Sequence, residues 1–143
     1  MAAAAILEAA AGLPVTVLGP RGVLVAGGAS TGKLYVLKSG DLEIVREGSV
    51  VASFGEPGDV VGEMSVLLEK PHTATVRSRL GAEVHVVDDP LTFLDAHPVV
   101  SRHIARSLAQ RLEKTTALLI DLRVQMKDRQ DHDLADKIFA LLK

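Results

Sequence analysis

The stretch Pro57-Gly-Asp-Val-Val-Gly-Glu-Met-Ser-Val-Leu-Leu-Glu-Lys-Pro-His-Thr-Ala-Thr-Val-Arg77 decides how the chain is read. Pro57-Gly58-Asp59 is turn chemistry. Gly62-Glu63 then opens an apolar run long enough for one helical turn, and Pro71 ends it. From Thr73 or Ala74 the residues become β-branched and a strand begins. A helical turn is therefore inserted between two strand-forming segments. Backbone N–H groups at the start of such a turn form a nest for an anion. Glu63 supplies a carboxylate that accepts from a vicinal hydroxyl, and His72 and Thr73 supply donors opposite. An anion beside a sugar hydroxyl is the ligand such a cup suits. On this window alone, an ordinary loop covering the mouth of a barrel is the better-supported reading.

Outward from the window, Gly and Pro recur every few residues between Leu13 and Asp88. Short runs of strand formers lie between them: Val15–Leu18, Val23–Ala26, Leu34–Leu37, Leu42–Arg46, Val50–Phe54, Thr75–Ser78 and Val84–Val87. Glu47-Gly48-Ser49 is a hairpin turn, with glycine where a positive φ is needed. Seven or more short strands at regular spacing predict an antiparallel sandwich or barrel. At the N-terminus an Ala-rich helix is stopped by Gly12 and Pro14.

After Asp89 the period changes. Asp89-Pro90 starts a short helix that ends near His97, and Pro98 stands where a helix accepts proline, at its first position. From there to about Gln130 no Gly or Pro appears. Ala105, Leu112, Leu119 and Met126 recur every seven residues, with Leu108, Thr115 and Leu122 as the companion row. That is a two-position seam over about three heptads, and it predicts a homodimer through Leu108, Leu112, Leu119, Leu122 and Met126. The plainer alternative is packing on the chain's own barrel, which the first turns, Val100 and Ile104, are expected to do. A short amphipathic segment, Leu134–Leu142, ends the chain.

Composition removes several function classes. Against 18 Asp and Glu stand only 16 Lys and Arg, so the basic excess of a phosphate-neutralising nucleic-acid binder is missing. Aromatics at 3% leave few platforms for stacking on bases. With no cysteine, disulfides, iron–sulfur clusters and thiolate chemistry are excluded, and a cytoplasmic location is expected. No apolar run reaches the length of a membrane span. Gly27-x-x-x-x-Gly32-Lys33 imitates a phosphate-binding loop. Leu34 stands where the magnesium-holding hydroxyl belongs, and a strand follows where a helix is required. The five histidines show no metal-ligand spacing, and no nucleophile–base pattern stands out, so no enzyme and no metal are expected.

The window does not stand alone. Gly62-Glu63-Met64-Ser65 and Pro71-His72-Thr73-Ala74-Thr75-Val76 resemble the phosphate-binding cassette of cyclic-nucleotide-binding domains of the catabolite-activator type. Leu34-Tyr-Val-Leu-Lys-Ser-Gly40 is similar to a strand of that family, and Gly55-Glu-Pro-Gly-Asp59 to the turn before its cassette. The resemblance runs from about Leu13 to Gln130. It implies a mainly β fold with flanking helices: an antiparallel double-stranded β-helix, the jelly-roll-like β-roll. The expected division is an N-terminal helix over 1–12 and the binding domain over 13–130. Within the domain the roll spans about 13–88 and the closing helices about 89–130, and a short helix follows over 131–143.

By position, the resemblance implies that Glu63 holds the ribose 2′-hydroxyl, that Thr73 and the amides near Ser65 meet the phosphate, and that Gly62, Met64 and Ala74 complete the cassette. Thr115 and Thr116 fall where the family's long helix meets adenine. The ligand implied is cyclic AMP or cyclic GMP, with no cofactor required. The sequence departs from the family at His72, where the cassette carries arginine. Losing a permanently charged, bidentate donor costs about 1.5–3 kcal/mol, or roughly ten- to a hundred-fold in affinity, so weak binding is expected. The alternative is a ligand-free interaction module of the same fold. Too few residues follow Gln130 for a helix-turn-helix domain, so no direct DNA binding is expected.

Overall fold

Strand formers punctuated by Gly and Pro give eight strands in the computed structural model, which describes residues 2–126 and 132–142. They are β1 (Val15–Leu18), β2 (Val23–Val25), β3 (Leu34–Gly40), β4 (Leu42–Arg46), β5 (Ser49–Phe54), β6 (Val60–Val61), β7 (Thr75–Arg77) and β8 (Ala82–Val87). Every pairing is antiparallel. One sheet runs β1-β8-β3-β6 and the other β2-β7-β4-β5. Apart from the β4–β5 hairpin, strands adjacent in space come from distant parts of the chain, as a rolled antiparallel fold requires. The chain divides into two units, residues 1–104 and 105–143.

The core of the first unit gathers the inward positions of both sheets: Leu18, Val25, Tyr35, Leu37, Leu42, Val61, Val76, Ala82, Val84 and Val86. Leu34 and Val36 alternate to the opposite face of β3 and are nevertheless fully buried. The Ala-rich helix α1 (Ala2–Ala10) packs on β3 and buries its own Ile6 and Ala10, so this strand is apolar on both faces. The β4–β5 hairpin closes with Arg46 opposite Ser49, and Glu47 and Gly48 both take positive φ, 52° and 78°. Two positive φ values make the turn whose twist suits a two-residue hairpin.

α2 (Glu63–Leu68) is inserted between β6 and β7, and α3 (Pro90–Ala96) follows β8 with proline in its first turn. α4 (Pro98–Gln125) begins at the predicted proline. Val100 and Ile104 are buried as expected, and Ser101 Oγ donates to the Leu94 carbonyl at 2.9 Å. In the second unit, α5 (His132–Ala140) folds against α4. Arg123 pairs with Asp136 at 3.1 Å and lies 5.5 Å over the Phe139 ring. The expected boundary at 130/131 lies outside the described residues.

All seven strand segments read from the sequence are present. The eighth, β6, is two residues long and shows no period; it exists because Tyr35 and Val36 offer Val61 and Val60 a partner edge.

Gly40 carries a structural constraint of its own. Its φ is +87°, and a Cβ there would lie 2.2 Å from the Gly81 carbonyl oxygen and 2.7 Å from Ala82 Cα. Both neighbours are backbone and cannot rotate away. Gly40→Ala is expected to destabilise the protein by about 2–4 kcal/mol through strain and overpacking. Urea unfolding followed by circular dichroism checks it.

Candidate ligand site

The site is built on the inserted turn. Gly62 precedes α2 in the left-handed region, with φ 89°. A Cβ at this position would sit 3.1 Å from the Lys33 carbonyl oxygen and 3.4 Å from Tyr35 Cδ2. Glycine is needed here for conformation and for space. At the other end Glu69 is also left-handed, and the Lys70 N–H donates to the Ser65 carbonyl at 3.1 Å. The Ser65 hydroxyl donates to the Lys70 carbonyl. Its proton therefore closes the helical turn and does not point at a ligand.

The carboxyl-bearing Glu63, first in α2, is 9% exposed. Met64, beside it, is 44% exposed. His72 is only 6% exposed, and its imidazole Cε1 lies 3.6 Å from where a Gly62 Cβ would be. The two halves of the predicted cassette are thus brought together at Gly62 and His72. Thr73 is exposed and Ala74 half-buried. Thr115 (exposed) and Thr116 (half-buried) stand on α4 in the second unit. Leu108, Leu112, Leu119 and Leu122 stand on the same helix, and Met126 follows it. Leu112 and Leu122 are 54% and 50% exposed. So, outside the predicted seam, are Leu118, Ile120 and Val124.

The loop between β2 and β3, which imitated a phosphate-binding loop, is sutured to the cassette. The Gly28 N–H donates to the His72 carbonyl at 2.7 Å, and the His72 N–H donates to the Ala29 carbonyl at 2.9 Å. The Gly27 N–H donates to Thr75 Oγ1 at 3.0 Å. Thr31 Oγ1 lies 2.9 Å from His72 Nε2. It also accepts from the Lys33 N–H and from the Tyr35 hydroxyl, each at 3.3 Å. A hydroxyl oxygen has two acceptor sites and one proton. With both sites used, Thr31 donates its proton to Nε2, and the imidazole carries its own proton on Nδ1. Burial acts in the same direction and pulls the His72 pKa below its ordinary value.

Sequence reading missed Thr31 and Tyr35. Thr31 lies in the loop before β3 and Tyr35 within β3, 41 and 37 residues before His72, so only the folded chain reveals their role. Next to α2 a cleft of about 440 Å³ is walled by Ser30, Ser65, Glu69, Lys70, Asp88 and Asp89, among others. Of the predicted site residues, it takes in Ser65 alone. Lys33 spans to Asp88 at 3.2 Å. Among the described residues no cluster of three His, Asp or Glu is arranged to hold a metal ion, and no helix is long and apolar enough to cross a membrane.

The family description that matches this chain is the cyclic nucleotide-binding domain, over residues 16–89. A similar solved structure is the catabolite activator protein of Thermus thermophilus. It is 25% identical, with a TM-score of 0.70, over 83% of this chain and 59% of that one. Another is the regulatory subunit of a cAMP-independent protein kinase A from Trypanosoma cruzi bound to guanosine, 26% identical, with a TM-score of 0.55, over 66% of this chain and 33% of that one. An uncharacterized ABC transporter ATP-binding protein of Mycobacterium tuberculosis is 43% identical over 53 residues, 34% of this chain and 16% of that protein. The chain thus matches about a sixth of the length of these curated relatives.

A histidine whose folded pKa is lowered leaves the unfolded chain holding more protons below about pH 6.5. Stability is therefore complete above that pH and declines as pH falls towards the folded pKa. Thermal unfolding between pH 7.5 and 5 is expected to show this decline. His72→Gln, whose amide oxygen still accepts from Thr31, is expected to flatten it.

Proposed function

The chain belongs to the cyclic nucleotide-binding domain family, and on that premise we propose that it is a regulatory sensor module, not an enzyme. It binds cyclic AMP or cyclic GMP weakly and signals, in the cytoplasm, through a dimer formed by α4. One observation carries the ligand reading. Gly62, the buried Glu63 and the exposed Thr73 keep the form of the family's cassette, while its cation position is filled by the buried His72. Glu63 is assigned the ribose 2′-hydroxyl, Thr73 and the amides around Ser65 the phosphate, and Thr115 and Thr116 the base. Hydrogen bonds from neutral donors orient a phosphate but lack the strength of a guanidinium pair.

Calorimetry with cyclic AMP tests this reading. His72→Arg is expected to raise affinity about ten- to a hundred-fold, the worth of one charge-assisted hydrogen bond. Adding Glu63→Ala is expected to lose most of that gain, because the 2′-hydroxyl loses its acceptor. No binding by either protein would leave the ligand-free interaction module as the function.

The dimer rests on the apolar side chains of α4. A helix keeping Leu112 and Leu122 half in water, with Leu118, Ile120 and Val124 also exposed, has apolar surface to bury. A second copy with the same heptad seam is the occupant that fits, since Leu108, Leu112, Leu119, Leu122 and Met126 repeat at coiled-coil spacing. Leu119→Asp is expected to convert dimers to monomers in sedimentation equilibrium, with the melting temperature of the roll little changed.

A further inference from the structure

We infer that the hydrogen bond from Thr31 to His72, by making the imidazole an acceptor with no charge to offer, sets the cup for an uncharged ribonucleoside in preference to a cyclic nucleotide. The inference rests on Gly62–Ala74 being a nucleotide site, as proposed above, and names the ligand class that site prefers.

The geometry leaves the imidazole little choice. Thr31 Oγ1 takes protons from the Lys33 N–H and the Tyr35 hydroxyl and has only its own to give to Nε2. A protonated Nε2 would face an oxygen with no lone pair left. The backbone from which the ring projects is fixed, because its N–H and carbonyl are bound to Ala29 and Gly28. The ring is also packed against Gly62 and is almost wholly buried.

A cyclic phosphate entering the cup thus meets neutral donors where a fixed positive charge would be needed to offset its desolvation. The cleft beside α2 adds no clear positive excess: it sets Glu69, Asp88 and Asp89 against Lys70, with Asp88 already paired to Lys33. A nucleoside keeps the ribose 2′-hydroxyl assigned to Glu63 and brings no anion. Thr31 is then a specificity-determining residue that acts through His72.

The test is calorimetric titration of the full chain with adenosine, guanosine, cyclic AMP and cyclic GMP. In the wild type, at least one nucleoside is expected to bind about ten-fold more tightly than its cyclic monophosphate, the low end of one charge-assisted hydrogen bond. Thr31→Val, which removes the proton given to Nε2, is expected to narrow that ratio, and His72→Arg to reverse it. Equal or tighter binding of the cyclic nucleotide by the wild type overturns the inference. A ratio unchanged in both variants, confirmed folded by circular dichroism, overturns it too. If only cyclic nucleotides bind, the nucleoside preference fails while the cassette reading stands. If no ligand binds the wild type or His72→Arg, both fail. The wild-type comparison decides even where a variant does not fold.

Discussion

The mouth of the roll is held by the backbone of one residue. His72 donates to Ala29 and accepts from Gly28, so the β2–β3 loop and the approach to β7 share a miniature two-bond ladder. Both segments are irregular, and without this pairing their polar groups would face either water or an unsatisfied interior. The side chain of the same residue then fills the space that Gly62 leaves open. Position 72 thus couples the loop, the inserted helical turn and the following strand.

A buried polar network of this kind is stable only when each member finds its partner. Here Thr31 is the hub, with two bonds accepted and one donated, and Tyr35 anchors it to β3 from inside the core. The arrangement exchanges the permanent charge of the family's arginine for a neutral chain of hydrogen bonds. The unliganded roll gains by it, since an uncompensated buried guanidinium costs far more than a satisfied imidazole. In the proposed reading the cost falls on anion recognition, and fold stability and ligand class are set by the same few atoms.

The long helix has a different logic. Its first two turns are anchored through Val100 and Ile104, whereas the rest carries apolar side chains at half exposure. A lone helix gains little from propensity and most from packing an apolar face. The clamp of Arg123 onto Asp136 and Phe139 supplies one local contact; a partner helix supplies the remainder in the proposed assembly.

Much of this was legible in the residues. The β-branched runs between Gly and Pro marked the strands, since alternation and turn chemistry are local properties. Pro90 and Pro98 marked the starts of two helices for the same reason. Gly62-Glu63 and Pro71 to Val76 were legible as a cassette only through their resemblance to the family's pattern; that Gly62 takes a left-handed conformation came from the structure. The Val60–Val61 strand was not legible, since two residues make a strand only when another strand offers an edge. Nor was the use of the Ser65 hydroxyl within its own turn. The role of Thr31 lay furthest from the sequence. Its hydroxyl meets His72 across 41 residues of intervening chain, and a hydrogen bond between distant segments leaves no period behind. The residue types in the cup came from the sequence; which protons remain to meet a ligand was decided only by the tertiary structure, because each donor can be given once.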